Sequence, residues 1–221
     1  MSDNSANTIT VLIADDEEFA RALIRSLLQP AMDITIIGEA EDGFETQELI
    51  PLLKPRILLL DYRMPGPGAY NIEKWVRENH PETSTLILTA YERDAYLSEM
   101  MDSGIAGYLF KNGDSNQLIE AIRRAVNGTV YFSNEQIERA QNWKRTVGMN
   151  WENLSRRERE VLEQLAAGKD NKGIANRLSI SLKTTEFHIT NILKKLELNS
   201  RNEAIVWMLK HQPDDPWLAK N

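Results

Sequence analysis

Three aspartates in this 221-residue chain could carry out phosphoryl chemistry, because they follow runs of apolar residues. The pair Asp15-Asp16 follows ITVLIA, and Asp61 follows ILLL. A carboxylate at the end of a buried segment is costly unless a partner compensates for it. Carboxylates that are brought together repel one another unless a cation joins them, and their hard oxygens suit Mg²⁺. An aspartate placed in this way can also attack phosphorus to give an aspartyl phosphate.

Two more polar residues follow apolar runs further along the chain. Thr89 ends TLILT, and Lys111 follows AGYLF. A hydroxyl and an ammonium group there could contact phosphoryl oxygens. Each residue also has an ordinary explanation: the Asp15-Asp16 pair as anions at a helix N-terminus, Asp61 as a turn acid, and the others as a strand threonine and a surface lysine. Their shared position at the ends of apolar runs favours a joint site.

The elements that must position these residues alternate from residue 9 to about 126. Amphipathic stretches such as EEFARALIRSLLQ separate five short apolar runs, at 9–15, 34–40, 57–61, 85–89 and 106–110. This alternation predicts an α/β domain with a doubly wound, five-stranded parallel sheet of flavodoxin-like topology. Ligands of such sheets bind beyond the carboxyl ends of the strands. The five polar residues are therefore expected at one edge of one sheet.

The remainder of the chain has a different pattern. Residues 128–150 are predicted to form a linker with a helical segment, which the pattern leaves either mobile or docked. Residues 151–211 are predicted to form an all-α domain of four helices with a helix-turn-helix unit. Two sequences of the capping-box type support it, Ser155 with Glu158 and Ser200 with Glu203. Residues 212–221, rich in proline and aspartate, are predicted to be a disordered tail.

Charge and composition narrow the function classes. Residues 1–125 contain 21 acidic and 11 basic side chains, whereas residues 126–221 contain 12 and 15, which indicates two domains with different partners. The absence of cysteine excludes disulfides, thiolate nucleophiles and cysteine-ligated metals. The sequence has no apolar run of roughly 18 residues, and its polar start does not resemble a signal peptide. A cytoplasmic protein without a membrane partner is expected.

The first domain is predicted to span residues 1–127, and its residues 9–127 resemble a response-regulator receiver domain. The resemblance rests on Asp15-Asp16, on Asp61 with Met-Pro-Gly at 64–66, on Thr89-Ala90, and on Tyr108 three residues before Lys111. It implies that a sensor histidine kinase phosphorylates Asp61. It also implies that Mg²⁺ is bound by Asp16 and Asp61 directly, by Asp15 through water, and by the backbone carbonyl of Arg63.

The same resemblance implies a conformational switch. Thr89 and Tyr108 would be the switch pair, and Lys111 would contact the phosphoryl group. Phosphorylation would then shift the population between two states of the domain. Arg63 and Tyr91 stand two residues beyond Asp61 and Thr89, where side chains border the approach of water. Their bulk predicts a long-lived phosphoryl state.

Residues 151–210 resemble the helix-turn-helix domain of the LuxR/NarL type. The resemblance rests on the pattern from Leu154 to Leu162, on Asn171-Lys172 with Ile174-Ala175, and on the segment from Thr184 to Leu196. It implies that residues 182–196 enter the major groove of promoter DNA and that the last helix supports a homodimer after phosphorylation. The residues expected to contact DNA are Asn171, Lys172, Lys183, Thr184, Glu186, Phe187, His188, Thr190, Asn191, Lys194 and Lys195.

Two positions depart from the pattern of this family. Gly173 stands where glutamate is frequent, and Thr185-Glu186 stands where Val-Lys is frequent. Glu186 replaces a cation near the phosphates with an anion, which lowers affinity through lost counterion release. Its carboxylate could instead accept a hydrogen bond from a cytosine amino group, while Phe187 could contact a thymine methyl group or be half-buried core. Weak binding by the monomer is expected, with dimerisation supplying avidity.

The sequence also bears on two function classes other than a DNA-binding regulator. A phosphatase of the haloacid dehalogenase type needs a second aspartate two residues after the nucleophile, and Arg63 stands there. The chain is therefore not expected to be an enzyme beyond its own phosphorylation and dephosphorylation. A regulator whose helical domain binds protein instead of DNA stays an alternative. The pattern also leaves open whether dimerisation, or release of the recognition helix from the receiver, is the control step.

Overall fold

The computed structural model describes residues 8–90 and 93–211. Within them the chain divides into two compact units, and the division falls between Ala140 and Gln141. The first unit contains strands and helices, and the described part of the second is helical. Tyr91 and the predicted tail at 212–221 lie outside the described residues.

The described residues of the first unit form a parallel sheet of five strands in the order β2-β1-β3-β4-β5. Residues 57–60 of the central strand are each at most 1% exposed, because helices cover both faces of the sheet. The predicted α/β doubly wound sheet is confirmed. Its strands are β1 Ile9–Ala14, β2 Ile34–Ala40, β3 Ile57–Asp61, β4 Ser84–Thr89 and β5 Gly107–Phe110.

Two helical layers cover this sheet, and side chains of β3 alternate between them. Ile57 and Leu59 pack in the α1–α5 layer, whereas Leu58 and Leu60 pack in the α2–α3–α4 layer. Because the strands are parallel, their carboxyl ends meet at one edge, where the predicted site residues lie. The helices are α1 Glu18–Leu28, α2 Gly43–Leu53, α3 Ala69–Asn79, α4 Asp94–Ser103 and α5 Ser115–Val126.

The first part of the predicted linker is docked on the first unit. Helix α6, Asn134–Trp143, places Ala140 in the α2–α3–α4 layer, where it is 5% exposed. Gln136 Nε2 of this helix donates to the Tyr108 carbonyl at 2.9 Å. A π-helical segment, Lys144–Gly148, and helix α7, Met149–Glu152, continue the chain in the second unit. The predicted domain boundaries at residues 127 and 150 stay predictions. The division after residue 140 follows from how densely residues contact one another, which does not show that either part folds independently.

The second unit continues with the four predicted helices. They pack around one core in which Leu162, Ile174 and Ile192 are fully buried. None of the helices in the described residues is long and apolar enough to cross a membrane. The four are α8 Arg156–Ala166, α9 Asn171–Leu178, α10 Leu182–Lys195 and α11 Arg201–His211.

Side-chain caps determine where α8 and α11 begin. The capping box of Ser155 and Glu158 forms as predicted. In the second predicted box, Ser200 Oγ accepts from the Glu203 N–H, but the Glu203 carboxylate accepts from the N–H of Asn199. In a capping box the Glu203 carboxylate would accept from the N–H of Ser200, so this bond is displaced by one residue. It still satisfies an N–H that precedes the helix.

Candidate functional site

The carboxyl ends of β1 and β3 bring three aspartates together. Ala14 of β1 pairs with Leu60 of β3, so the residues that follow them, Asp15 and Asp61, leave neighbouring strands side by side. Carboxylate oxygens of Asp15, Asp16 and Asp61 lie within 4.8 Å of one another. Asp15 is 1% exposed and Asp61 6%, whereas Asp16 is exposed. Two of the three acidic groups are therefore largely removed from water.

Lys111 supplies a positive charge to these aspartates. Thr89 of β4 pairs with Phe110 of β5, so the next residue, Lys111, reaches the same edge of the sheet. Its Nζ lies 2.7 Å from Asp15 Oδ2 and 3.0 Å from Asp61 Oδ1. Burial would lower the pKa of Lys111, but its two carboxylate partners outweigh that effect and raise it. The ammonium group therefore stays charged.

Burial raises the pKa of Asp61 to about 6, although the charge and hydrogen bond of Lys111 oppose the shift. The Asp15 carboxylate raises this pKa further, and the Arg63 N–H, which donates to Asp61 Oδ2 at 2.9 Å, lowers it. Lys111 balances the charge of one aspartate, so the three carboxylates together with it keep an excess of negative charge. Hard oxygen donors with excess negative charge fit a divalent cation such as Mg²⁺.

Thr89 and Tyr108 lie behind the aspartates in the core. They are 0% and 2% exposed, and a side-chain hydrogen bond joins them. Burial raises the pKa of Tyr108, and the hydrogen bond with Thr89 opposes that shift only in part. The structure thus brings the two predicted switch residues into contact. Tyr91, which was predicted to border the site, lies outside the described residues.

Arg21 is a residue near the site that the sequence reasoning missed. It is 4% exposed, and its Nη1 donates to the Asp15 carbonyl at 2.8 Å. Its Nε donates to Glu39 at 3.1 Å and its Nη2 to Glu41 at 2.7 Å. The guanidinium therefore ties the backbone at Asp15 to the end of β2. An arginine in an amphipathic helix gave no signal of this role, because its partners Glu39 and Glu41 are 18 and 20 residues away in sequence.

Helix α10 exposes one face of the second unit. Phe187 is 62% exposed, so the half-buried interpretation of this side chain is wrong, and its ring meets that of His188 edge-on with 6.0 Å between centroids. Residues spaced by three or four positions share one side of a helix, which is the surface that a recognition helix presents to a groove. The predicted DNA-contacting residues that are exposed on α10 are Lys183, Glu186, Phe187, Thr190, Lys194 and Lys195.

Lys195 and Asn171, two of the predicted DNA-contacting residues, have side-chain partners on other helices of the unit. Lys195 Nζ lies 2.7 Å from Glu158 Oε2, and Asn171 Oδ1 accepts from Arg201 Nη1 at 2.7 Å. A contact with DNA by either side chain would compete with these bonds. Four further residues were predicted to contact DNA. Of these, Lys172 is exposed, and Thr184, His188 and Asn191 are partly exposed.

The fold and these two groups of residues agree with two known families. Residues 11–123 match the family described as response regulator receiver domain, and residues 152–208 match the family described as bacterial regulatory proteins, luxR family. The chain belongs to the response regulators that combine a receiver domain with a LuxR-type helix-turn-helix domain. As a member of this class, it is a DNA-binding transcription regulator of a two-component system. Both resemblances inferred from the sequence are confirmed.

Similarity to individual regulators extends over nearly the whole chain. The response regulator protein VraR of Staphylococcus saprophyticus is 32% identical over 203 residues, which cover 92% of this chain and 97% of VraR. The oxygen regulatory protein NreC of Staphylococcus epidermidis is 34% identical over 210 residues, covering 90% and 96%. A solved structure of RcsB from Salmonella enterica serovar Typhimurium, bound to the promoter rprA with the phosphomimetic BeF₃⁻, has a TM-score of 0.58 and 27% identity. That alignment covers 92% of this chain and 99% of the RcsB chain.

Proposed function

We propose that Asp61 accepts a phosphoryl group from the phosphohistidine of a sensor histidine kinase. A carboxylate oxygen of Asp61 attacks phosphorus, the bond from phosphorus to the histidine nitrogen breaks, and an acyl phosphate forms. The observation that carries this proposal is the position of Lys111, whose Nζ contacts both Asp15 and Asp61. An ammonium group there offsets the charge of the phosphoryl oxygens as they approach the aspartates. With a pKa of about 6, Asp61 is mostly ionised at pH 7.

The acidic residues would hold Mg²⁺, with Asp16 and Asp61 as direct ligands, Asp15 acting through water, and the Arg63 carbonyl as a further ligand. A cation bound there supplies charge neutralisation for phosphoryl transfer. The Arg63 N–H holds Asp61 Oδ2, and Arg21 holds the backbone at Asp15. The Thr89 hydroxyl would exchange its bond with Tyr108 for one to a phosphoryl oxygen. This exchange is the switch that we propose.

The phosphoryl group on Asp61 is expected to be long-lived. Apart from its own phosphorylation and dephosphorylation, we propose no reaction for this chain. The side chain of Arg63, which is exposed, would border the direction from which water attacks. Arginine cannot act as a general acid at neutral pH, so the position two residues after Asp61 does not support a phosphatase acting on other substrates. Hydrolysis of its own acyl phosphate is the turnover that remains.

The proposed output is binding of double-stranded promoter DNA by α10 in a homodimer. Lys183 and Lys194 would contact phosphates, and Glu186 and Phe187 would face base edges. The similarity to RcsB, a structure of which is bound to a promoter in the presence of the phosphomimetic BeF₃⁻, supports promoter DNA as the ligand. Because promoter DNA lies in the bacterial cytoplasm, we propose that the protein acts there.

Phosphorylation and DNA selection with the full-length protein test this proposal together. Wild type should be labelled by acetyl phosphate and Mg²⁺ and should retain genomic fragments more tightly with BeF₃⁻, whereas Asp61→Asn should do neither. Asp33→Asn, which alters a partly exposed aspartate paired with Arg123, is the control and should behave as wild type. Labelling that persists in Asp61→Asn would overturn the phosphoacceptor assignment. Failure of wild type to retain any fragment at low salt would instead favour a protein partner for the helical unit.

A further inference from the structure

Tyr62 follows Asp61 directly and leaves the sheet on the opposite side. Successive residues of a strand point to opposite faces. Leu60 and Leu58, two and four residues before Tyr62, pack in the α2–α3–α4 layer together with it, whereas Leu59, two residues before Asp61, packs in the α1–α5 layer. Tyr62 therefore points towards the α2–α3–α4 layer, whereas Asp61, the residue before it, lies on the side of the sheet that faces the α1–α5 layer.

Two contacts attach Tyr62 to helix α4. Its ring stacks on that of Tyr96, with centroids 3.9 Å apart and an interplanar angle of 23°. Its hydroxyl donates to Glu99 Oε2 at 2.8 Å. Tyr96 and Glu99 are three residues apart and so lie on the same face of α4. Tyr96 is 2% exposed, which leaves its ring little room to follow a displaced partner without moving the helix.

The carboxylate of Asp61 determines the geometry of the backbone around Tyr62. Asp61 Oδ2 accepts the N–H of Arg63 at 2.9 Å, so the residues on both sides of Tyr62 are joined across this oxygen. Formation of an acyl phosphate turns one carboxylate oxygen into a bridging anhydride oxygen and the other into a neutral carbonyl oxygen, and both are weaker acceptors than an oxygen of a carboxylate. The bond from the Arg63 N–H would therefore weaken, and Tyr62 is the residue that this bond spans.

From this geometry we infer that Tyr62 is a positioning residue that couples phosphorylation of Asp61 to helix α4, through its stack on Tyr96 and its bond to Glu99. The inference rests on the proposed function, since it takes Asp61 as the phosphoacceptor. It adds a second connection to the switch, separate from the Thr89–Tyr108 pair. A tyrosine that only filled the core would affect the stability of both states equally and would not transmit the change at Asp61.

Hydrogen–deuterium exchange of the full-length protein, with and without BeF₃⁻ and Mg²⁺, tests the coupling. In wild type, BeF₃⁻ should alter exchange in the peptides that cover α4. Tyr62→Phe keeps the ring and loses the hydroxyl, so it should reduce this response, and Tyr62→Leu should abolish it. Glu99→Gln keeps an acceptor for the tyrosine and should retain most of the response. The affinity for BeF₃⁻ should change by less than about threefold in these variants, which is below the lower end of the coupling that is typical between linked sites.

A DNA readout and a matched tyrosine complete the experiment. The ratio of DNA affinity with BeF₃⁻ to that without it should fall about fivefold in Tyr62→Leu, the lower end of typical coupling between sites. Tyr131→Phe, whose ring lies beneath Arg124 at 5.4 Å, should leave both readouts unchanged. Variants that bind BeF₃⁻ and show the wild-type response in α4 would overturn the coupling alone. Failure of wild type to bind BeF₃⁻ would overturn the phosphoacceptor assignment and the coupling with it.

Discussion

Buried carboxylates in the described residues differ in how their charge is compensated. Asp61 faces Lys111 at 3.0 Å, whereas Glu73 of α3 is 4% exposed and lies against Thr85. Burial raises the pKa of Glu73, and Thr85 and the charge of Arg77 oppose the shift only in part. Among the described residues its Oε2 has no hydrogen-bond partner. An ionised carboxylate in such a place destabilises the folded state.

We predict that Glu73→Gln stabilises the protein at alkaline pH. Folding raises the pKa of Glu73 above its ordinary value of 4.5. The protonated side chain therefore contributes its full stability below pH 4.5, and this stability is lost as the pH rises through the raised pKa of the folded state. Glutamine avoids this loss, so the variant should gain about 1 kcal/mol at pH 8 and little at pH 4.5. Urea denaturation at both pH values measures the difference. The exposed Glu48→Gln is the control, and an equal gain at both pH values would contradict the titration argument.

The residues at strand ends were predictable because a local pattern is sufficient to place them. Asp61 and Lys111 each follow an apolar run, and a parallel sheet brings such positions to one edge. Arg21 was not predictable in this way, since it meets Glu41 from 20 residues away and looks like an ordinary helix-surface residue in sequence. Tyr62 was missed for the same reason, because its partners lie on α4. Sequence spacing identifies the ends of elements but not the side chains that meet between elements.

At the scale of elements, a charge pair joins helices α8 and α10. Glu158, 3% exposed, belongs to the capping box of α8 and also lies 2.7 Å from Lys195 Nζ of α10. Burial would raise the pKa of Glu158, but Lys195 and Ser155 outweigh that effect and lower it. The sequence predicted the cap and assigned Lys195 to DNA. It could not show that the two side chains meet, because 37 residues separate them.

We predict that Glu158→Gln destabilises the second unit by about 1–3 kcal/mol at pH 7, because a charge-assisted bond to Lys195 is lost. Folding lowers the pKa of Glu158 below its ordinary value of 4.5. The ionised side chain therefore contributes its full stability above pH 4.5, and this stability is lost as the pH falls through the lowered pKa of the folded state. The difference from wild type, measured by chemical denaturation, should therefore shrink towards pH 3. Glu160→Gln, which alters pairs within α8, should cost less than about 1 kcal/mol. A difference that did not depend on pH would contradict the ion-pair explanation.

Helix α6 is a second case in which contacts between elements decide the structure. Arg139 Nη2 lies 2.7 Å from Asp94 Oδ1 at the start of α4, and Gln136 bonds the Tyr108 carbonyl. The sequence pattern predicted a helix here but left its docking open, because these partners lie outside the segment. A segment held by a few partly exposed polar contacts and one buried alanine is expected to open locally at lower free energy than the sheet.

We therefore predict that Arg139→Ala increases amide exchange in residues 131–140 and leaves exchange in β1 and β3 unchanged. The ion pair is partly exposed, so its loss should cost about 0.2–1 kcal/mol and speed local exchange severalfold. Hydrogen–deuterium exchange on the full chain measures this effect. Arg145→Ala removes an exposed arginine that bonds Asn142 and should not alter residues 131–140. Unchanged exchange in Arg139→Ala would show that Gln136 and Ala140 suffice to dock the helix.

At the scale of the whole molecule, charge divides along the chain. Residues 1–125 carry 21 acidic and 11 basic side chains, and the part that contains α10 is the more basic. On α10, however, the exposed Glu186 lies between Lys183 and Lys194 along the same face. A carboxylate among these lysines opposes the release of counterions that drives binding to DNA. The sequence alone suggested this conflict, and the exposure of Glu186 places it on the surface of the second unit.

We predict that Glu186→Lys tightens DNA binding at low salt by roughly tenfold and steepens the plot of log affinity against log salt by about one unit. Replacement of an anion by a cation adds one phosphate contact and removes one repulsion, so the gain should be similar for every sequence tested. Binding by fluorescence anisotropy over a range of salt concentrations measures both quantities. Glu78→Lys, an exposed position on α3 in the other unit, makes the same charge change and should leave the slope nearly unaltered.

A carboxylate that accepts a hydrogen bond from cytosine would give a different result in the same experiment. Glu186→Lys would then lose discrimination at one base pair, by about 1–3 kcal/mol, while gaining affinity for unrelated sequences. Glu186→Gln separates the two effects, because the amide keeps an acceptor and removes the charge. If Glu186→Gln keeps the sequence preference of wild type and binds DNA more tightly, Glu186 contacts a base edge. If the variant gains the same affinity for every sequence, Glu186 lies near the phosphates. If neither variant altered the affinity or the slope, α10 would not be the surface that meets DNA.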